Sequence, residues 1–152
     1  MRSWFRHRAN TESVATEPDP DSPEALEAAH AELVRMINRN AGRLPVAAVV
    51  AARRVTDLVD DILESLADDQ DPDIQAIVSV RGIVRDYLPT TLNRYLALQP
   101  DPEHAEQVTE QLDALALAAD EVLTATRSRD ADDLLTQGNF LRTKFSGSDL
   151  DL

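Results

Sequence analysis

Residues 71–98 read DPDIQAIVSVRGIVRDYLPTTLNRYLAL, and this stretch decides the fold class. Apolar side chains recur at Ile77, Val80, Val84, Leu88, Leu92 and Tyr95, with Ile74, Ile83, Tyr87 and Leu96 widening the same face. Steps of three and four place side chains on one side of an α-helix, whereas a half-buried strand would alternate. Asp71-Pro72-Asp73 is a start signal: a side chain to cap free N–H groups, a proline with its φ preset, and an acid at the positive end of the dipole. Pro89 falls inside the run. It lacks an N–H, and its ring clashes with the carbonyl of Arg85, four residues back. The periodicity continues past it, so the pattern predicts a helix kinked at Pro89, with two helices meeting at Leu88 as the alternative.

The same start signal recurs on both sides. Ser22-Pro23-Glu24 opens a first helix with seam positions Leu26, His30, Leu33, Ile37 and Asn40, and Gly42 fits a left-handed stop. Pro45 opens a second helix to about Ala67, striped by Ala48, Ala52, Val55, Val59, Ile62 and Leu66. Asp101-Pro102-Glu103 opens a fourth, to about Arg127, with Ala105, Val108, Leu112, Leu115, Ala119 and Val122. A fifth is expected from about Asp130 to Phe145, with Leu134, Gly138, Leu141 and Phe145 in line.

These stripes repeat every 3.5 residues, which suits nearly antiparallel helices with a shallow left-handed twist. The expected fold is therefore all-α: an up-and-down antiparallel bundle of four to five helices with an alanine-lined interior. Residues 1–21 form a flexible N-terminal segment, 22–145 the bundle and 146–152 a tail. The same seams could also pair between two chains, giving a homo-oligomer.

Composition bounds the function. The 152 residues contain no cysteine, which excludes disulfide frameworks, thiolate metal sites and cysteine nucleophiles. The net charge is −13, and a folded body this acidic repels nucleic-acid phosphates. No run approaches a membrane span, and the first thirty residues lack a signal peptide's apolar core, so a cytoplasmic location is expected. All basic side chains but Lys144 are arginine, a usage that, with abundant alanine, reads as bacterial genomic base composition. Arg2, Arg6 and Arg8 flank Trp4 and Phe5 in an acid-free leader; that cluster would give a membrane surface or a partner a short, marginal foothold.

Three patterns that resemble active chemistry fall short. Glu27-Ala28-Ala29-His30 is one Glu-x-x-His, where a helical di-iron site needs two such motifs and two further glutamates; His30 reads as a boundary histidine. Asp69, Asp71 and Asp73 alternate like the start of a calcium loop, but Ile74 stands where glycine is needed and Val80 where a bidentate glutamate is needed. The paired acids Asp60, Asp61 and Glu64 read as a solvated helix face. No catalytic, cofactor-binding or metal-binding residue is assigned. Tyr87 and Tyr95, with Pro89, Thr90 and Arg94 between them, read as an interaction surface at the kink, to which Arg81 and Arg85 would add charge.

The run Tyr87-Leu88-Pro89-Thr90-Thr91-Leu92-Asn93-Arg94-Tyr95 resembles a segment of the bromo-chloroindolyl phosphate hydrolysis protein family, which is related to toxic-anion (tellurite) resistance proteins. The layout from Asp71 to Arg142, about half the chain, is similar. The resemblance implies a mostly helical protein with a cytoplasmic or membrane-associated stress role exercised through protein partners. The family's name implies phosphate-ester hydrolysis, though it offers no catalytic residues to carry over. The expected function is a non-enzymatic helical interaction module whose protein partner the sequence does not name. The alternative is a hydrolase, or hydrolase accessory, acting on phosphate esters or oxyanions.

Overall fold

In a computed structural model the protein is an all-α bundle. The structure describes the backbone of residues 19–150 and the side chains of 19–139 and 141–144. The helices are α1 (Pro23–Asn40), α2 (Val46–Ala67), α3 (Ile74–Arg81), α4 (Leu88–Leu96) and α5 (Pro102–Leu150). A 3-10 turn, Ala41–Arg43, follows α1, and a π-helical turn, Gly82–Tyr87, joins α3 to α4 without leaving helical backbone angles. No strand occurs among the described residues.

Polar contacts at the two ends fix the course of the chain. At one end Arg43, after α1, donates to the Leu96 carbonyl at the close of α4. At the other, Ser65 near the end of α2 donates to Asp130 of α5 at 2.9 Å. There Arg129 also pairs with Asp73 at 3.5 Å and Asp71 at 3.9 Å. The helices therefore run up, down, up through the π turn, and down again. Connections of about five residues leave neighbours no room to be other than antiparallel.

The interior is alanine-lined, as expected. Ala48, Ala51 and Ala52 of α2 and Ala116 and Ala119 of α5 are all buried, and these two helices make the most extensive contact in the molecule. Small side chains let backbones approach closely, so dispersion contacts come from main chain as well as side chain. Leu26, Ile37, Val55, Val59, Ile62, Val80, Leu88, Leu92 and Leu112 fill the remaining volume with essentially no exposure. The whole expected stripe of α2 is buried. On α5 the seam includes Ala116, Leu123 and Thr126, while Leu115 and Val122 are only partly covered.

Several local expectations need correction. Gly42 makes no left-handed stop; the chain turns through 3-10 geometry, and no described glycine has positive φ. The third helix starts two residues late: Asp73, not Asp71, is the cap, accepting from the Gln75 N–H at 3.0 Å. Ser22 and Asp101 do cap as expected, accepting from the N–H groups of Ala25 and Glu103. The fourth and fifth expected helices are one. Residues 127–130 contain neither proline nor glycine, so nothing there stops the ladder, and α5 continues unbroken.

The length of α5 is the main surprise. At 1.5 Å per residue its 49 residues span about 74 Å, against about 33 Å for the 22 residues of α2. Among the described side chains, Thr126 is the last buried one and Arg129 the last half-buried one. Every described side chain from Asp130 to Lys144 is exposed. The end of α5 therefore overhangs the bundle. A helix extended from a formed one pays no fresh nucleation cost, so the overhang needs less from its neighbours than a separate helix would.

Candidate interaction surfaces

Three surfaces carry the residues that chemistry or resemblance singled out. The first surrounds Pro89. In an α-helical ladder its ring would meet the Arg85 carbonyl. Here the preceding turn widens, and the Leu88 N–H donates to the Ile83 carbonyl five residues back. A π turn inserts one extra residue, so side chains beyond it are rotated relative to those before. Val80, Val84, Leu88 and Leu92 consequently all stay on the core face although they are spaced four apart throughout.

The two tyrosines do not share a face, because eight residues of α-helix turn a side chain by about 80°. Tyr87 is 64% exposed, and its ring lies beside Gly82, where an added Cβ would come within 3.2 Å of Cε2. Tyr95 is half-buried and packs against the core. The expected surface holding both rings at the kink is thus divided. Thr90 and Arg94 are exposed and Pro89 half-buried. Arg81 and Arg85 are engaged elsewhere: Arg81 pairs with Asp21 at 3.1 Å, and Arg85 donates to the Pro20 carbonyl at 2.7 Å. They hold the chain leading into α1 rather than waiting for an anion. Trp4 and Phe5 lie outside the described residues.

The second surface is an open groove of about 620 Å³ at the end where α1 meets α2 and α4 meets α5. Leu44, Tyr95, Leu96 and Leu98 give it an apolar lining, with Arg43 and Asp101 at its edge. The third lies at the opposite end, where α5 leaves the bundle. A cleft of about 320 Å³ opens between the end of α2 and the overhang, lined by Asp68 and Asp69 on one side and Asp130, Asp133, Leu134 and Gln137 on the other. Leu134 is 71% exposed, Leu135 64% and Leu141 44%. Sequence reading placed Leu134, Gly138 and Leu141 in one line but assigned that line to the core.

His30 and His104, the two described histidines, are not brought into one site. His30 Nε2 lies 2.7 Å from the Thr56 carbonyl, which fixes it as a donor at the edge of the core and fits the boundary role read from sequence. His104 Nδ1 is buried without a partner in the first turn of α5. No group of three or more metal-binding side chains converges among the described residues. Asp69, Asp71 and Asp73 instead build the α2–α3 turn: Asp69 accepts from the Asp71 N–H, and Arg129 bridges the other two. No described helix is long and apolar enough to cross a membrane.

No family model, curated protein or solved structure matches this chain.

Proposed function

We propose that the protein is a non-enzymatic helical interaction module that offers the overhanging end of α5 to a protein partner. One observation carries this reading: past Thr126 the helical stripe continues through Leu134 and Leu141, which no described residue buries. Contiguous exposed apolar surface on a soluble fold marks a place where another molecule docks. The bundle is then a stiff mount, and the overhang is its working part. The resemblance of Tyr87–Tyr95 supports a place for this module in a cytoplasmic response to toxic anions. The alternative reading is a phosphate-ester or oxyanion hydrolase or its accessory. It is favoured by the π turn beside that same run, since such turns recur at functional sites.

The test uses the full chain, cross-linked in extract of its native host and mapped by mass spectrometry. Cross-links should concentrate on residues 131–144 and vanish in a Leu134→Glu/Leu141→Glu variant that keeps wild-type helicity. Turnover of an indolyl phosphate by purified protein, abolished by a single acid or histidine substitution, would replace this reading with the hydrolase.

A further inference from the structure

The overhang carries a pattern that selects its partner. Its seam reads Ala131, Leu134, Gly138, Leu141, small and large in alternation. Laid antiparallel on a second copy of itself, this seam sets Ala131 against the partner's Leu141 and Leu134 against the partner's Gly138. Each of the four layers then pairs a large side chain with a small one, which is how knobs fill holes without voids. A parallel pairing would place Gly138 on Gly138 and Ala131 on Ala131, leaving two gaps.

Charge points the same way. Asp130, Asp132 and Asp133 stand at the root of the overhang, and Arg142 and Lys144 near its end. Antiparallel packing brings Asp130 opposite the partner's Arg142 and delivers both basic residues to the partner's cleft, where Asp68, Asp69, Asp130 and Asp133 gather. Parallel packing would set acid on acid and base on base.

Gly138 gives a third indication. Its backbone needs no positive φ, and an added Cβ would meet nothing within 4 Å in the single chain. Glycine there costs helix stability relative to alanine with no return among the described residues. A neighbouring helix resting on that position supplies the return.

We infer that the end of α5 is an isologous dimerisation segment that binds the same segment of a second copy in antiparallel register, Leu134 seated on the partner's Gly138. The inference rests on the reading of the overhang as a docking surface and names the occupant. A contact this short covers less than a standard interface, so the dimer is weak and forms with rising concentration.

The chain's lack of cysteine makes the test clean. In the full chain, Ala131→Cys/Leu141→Cys should form interchain disulfides on mild oxidation, and Ala131→Cys alone should not. Interchain disulfides from Ala131→Cys alone would show parallel pairing and overturn the register. Sedimentation equilibrium should show monomer and dimer in exchange. Gly138→Leu, which fills the hole, should weaken the dimer at least tenfold while raising helix content, opposite effects that a role in helix stability alone would not produce. A wild-type chain that stays monomeric at submillimolar concentration overturns self-pairing. If cross-links to another protein still fall on 131–144, the docking reading stands without it; if they do not, both fall.

Discussion

Leu123 and Leu134 lie three turns apart on one unbroken helix and point to nearly the same side, yet Leu123 is 4% exposed and Leu134 71%. The first is covered by the other helices of the bundle; the second has passed the end of α2 and the start of α3. The difference teaches that periodicity reports which face of a helix is apolar and is silent on what covers that face. Stability should follow the cover. Leu123→Ala should lower the free energy of unfolding by about 2–5 kcal/mol, the range for a buried leucine that leaves a cavity. Leu134→Ala, in dilute protein, should stay within about 0.5 kcal/mol, as exposed substitutions do. Urea unfolding followed by circular dichroism checks both, and equal losses would mean that the overhang belongs to the cooperative unit.

The two helical glycines sharpen the contrast. At Gly82 a methyl group would press on the exposed Tyr87 ring, which can swing outward, while at Gly138 it would meet nothing. Each alanine gains about 0.5–1 kcal/mol of intrinsic helix preference. The gain should appear in different observables. Gly82→Ala should raise the melting temperature, because its turn unfolds with the core. Gly138→Ala should raise the helical signal and slow amide exchange between residues 131 and 144 without moving the melting temperature. A shift in melting temperature for both would erase the boundary between the regions.

Much of the bundle was legible because capping and burial are local facts. Ser22-Pro23 and Asp101-Pro102 start helices where the sequence places them, and the α2 stripe is buried throughout. The π turn also left a trace. Val80, Val84, Leu88 and Leu92 are spaced by fours, and an α-helix rotates its stripe by about 40° at each such step. Three in a row, ahead of and across a proline, ask for an extra residue in the turn. The tyrosine surface misled because eight residues of α-helix turn the stripe by about 80°, which sets Tyr95 against the core and leaves Tyr87 outside. The overhang was misread for a different reason: Asp130, Asp132 and Asp133 look like the start of a new helix, and a heptad stripe looks the same whether its partner is in the chain or outside it. Arg129, whose pairing with the α2–α3 turn marks the boundary, carries no signal distinguishing it from any surface arginine.

That arginine gives a smaller prediction. Arg129 clamps the root of the overhang to Asp71 and Asp73 through side chains that are partly or largely exposed. Exposed pairs of this kind contribute about 0–1 kcal/mol, so Arg129→Ala should cost under ~1 kcal/mol. Its clearer sign should be faster amide exchange in residues 68–73, with no change around Gly42 at the far end. Unchanged exchange in that turn would show that Ser65 and Asp130 hold the boundary without it.

The smallest effect concerns Glu32 on α1, on the solvent face of the bundle. The Arg35 side chain donates to it at 2.9 Å and Arg39 adds a second contact, and together they hold its carboxyl below the usual carboxylate range. A depressed acid favours the folded state while it is ionised in both states, and that contribution is lost as pH falls through the lowered range. Glu32→Gln should therefore destabilise slightly at neutral pH and match wild type in acid. The difference should shrink with added salt, because the pair faces solvent. Asp132→Asn, on the overhang, is the control and should leave bundle stability unchanged at every pH. Melting curves across pH at two salt concentrations read both. A larger neutral-pH loss for Asp132→Asn than for Glu32→Gln would place the end of α5 inside the folding unit and collapse the distinction between the two halves of that helix.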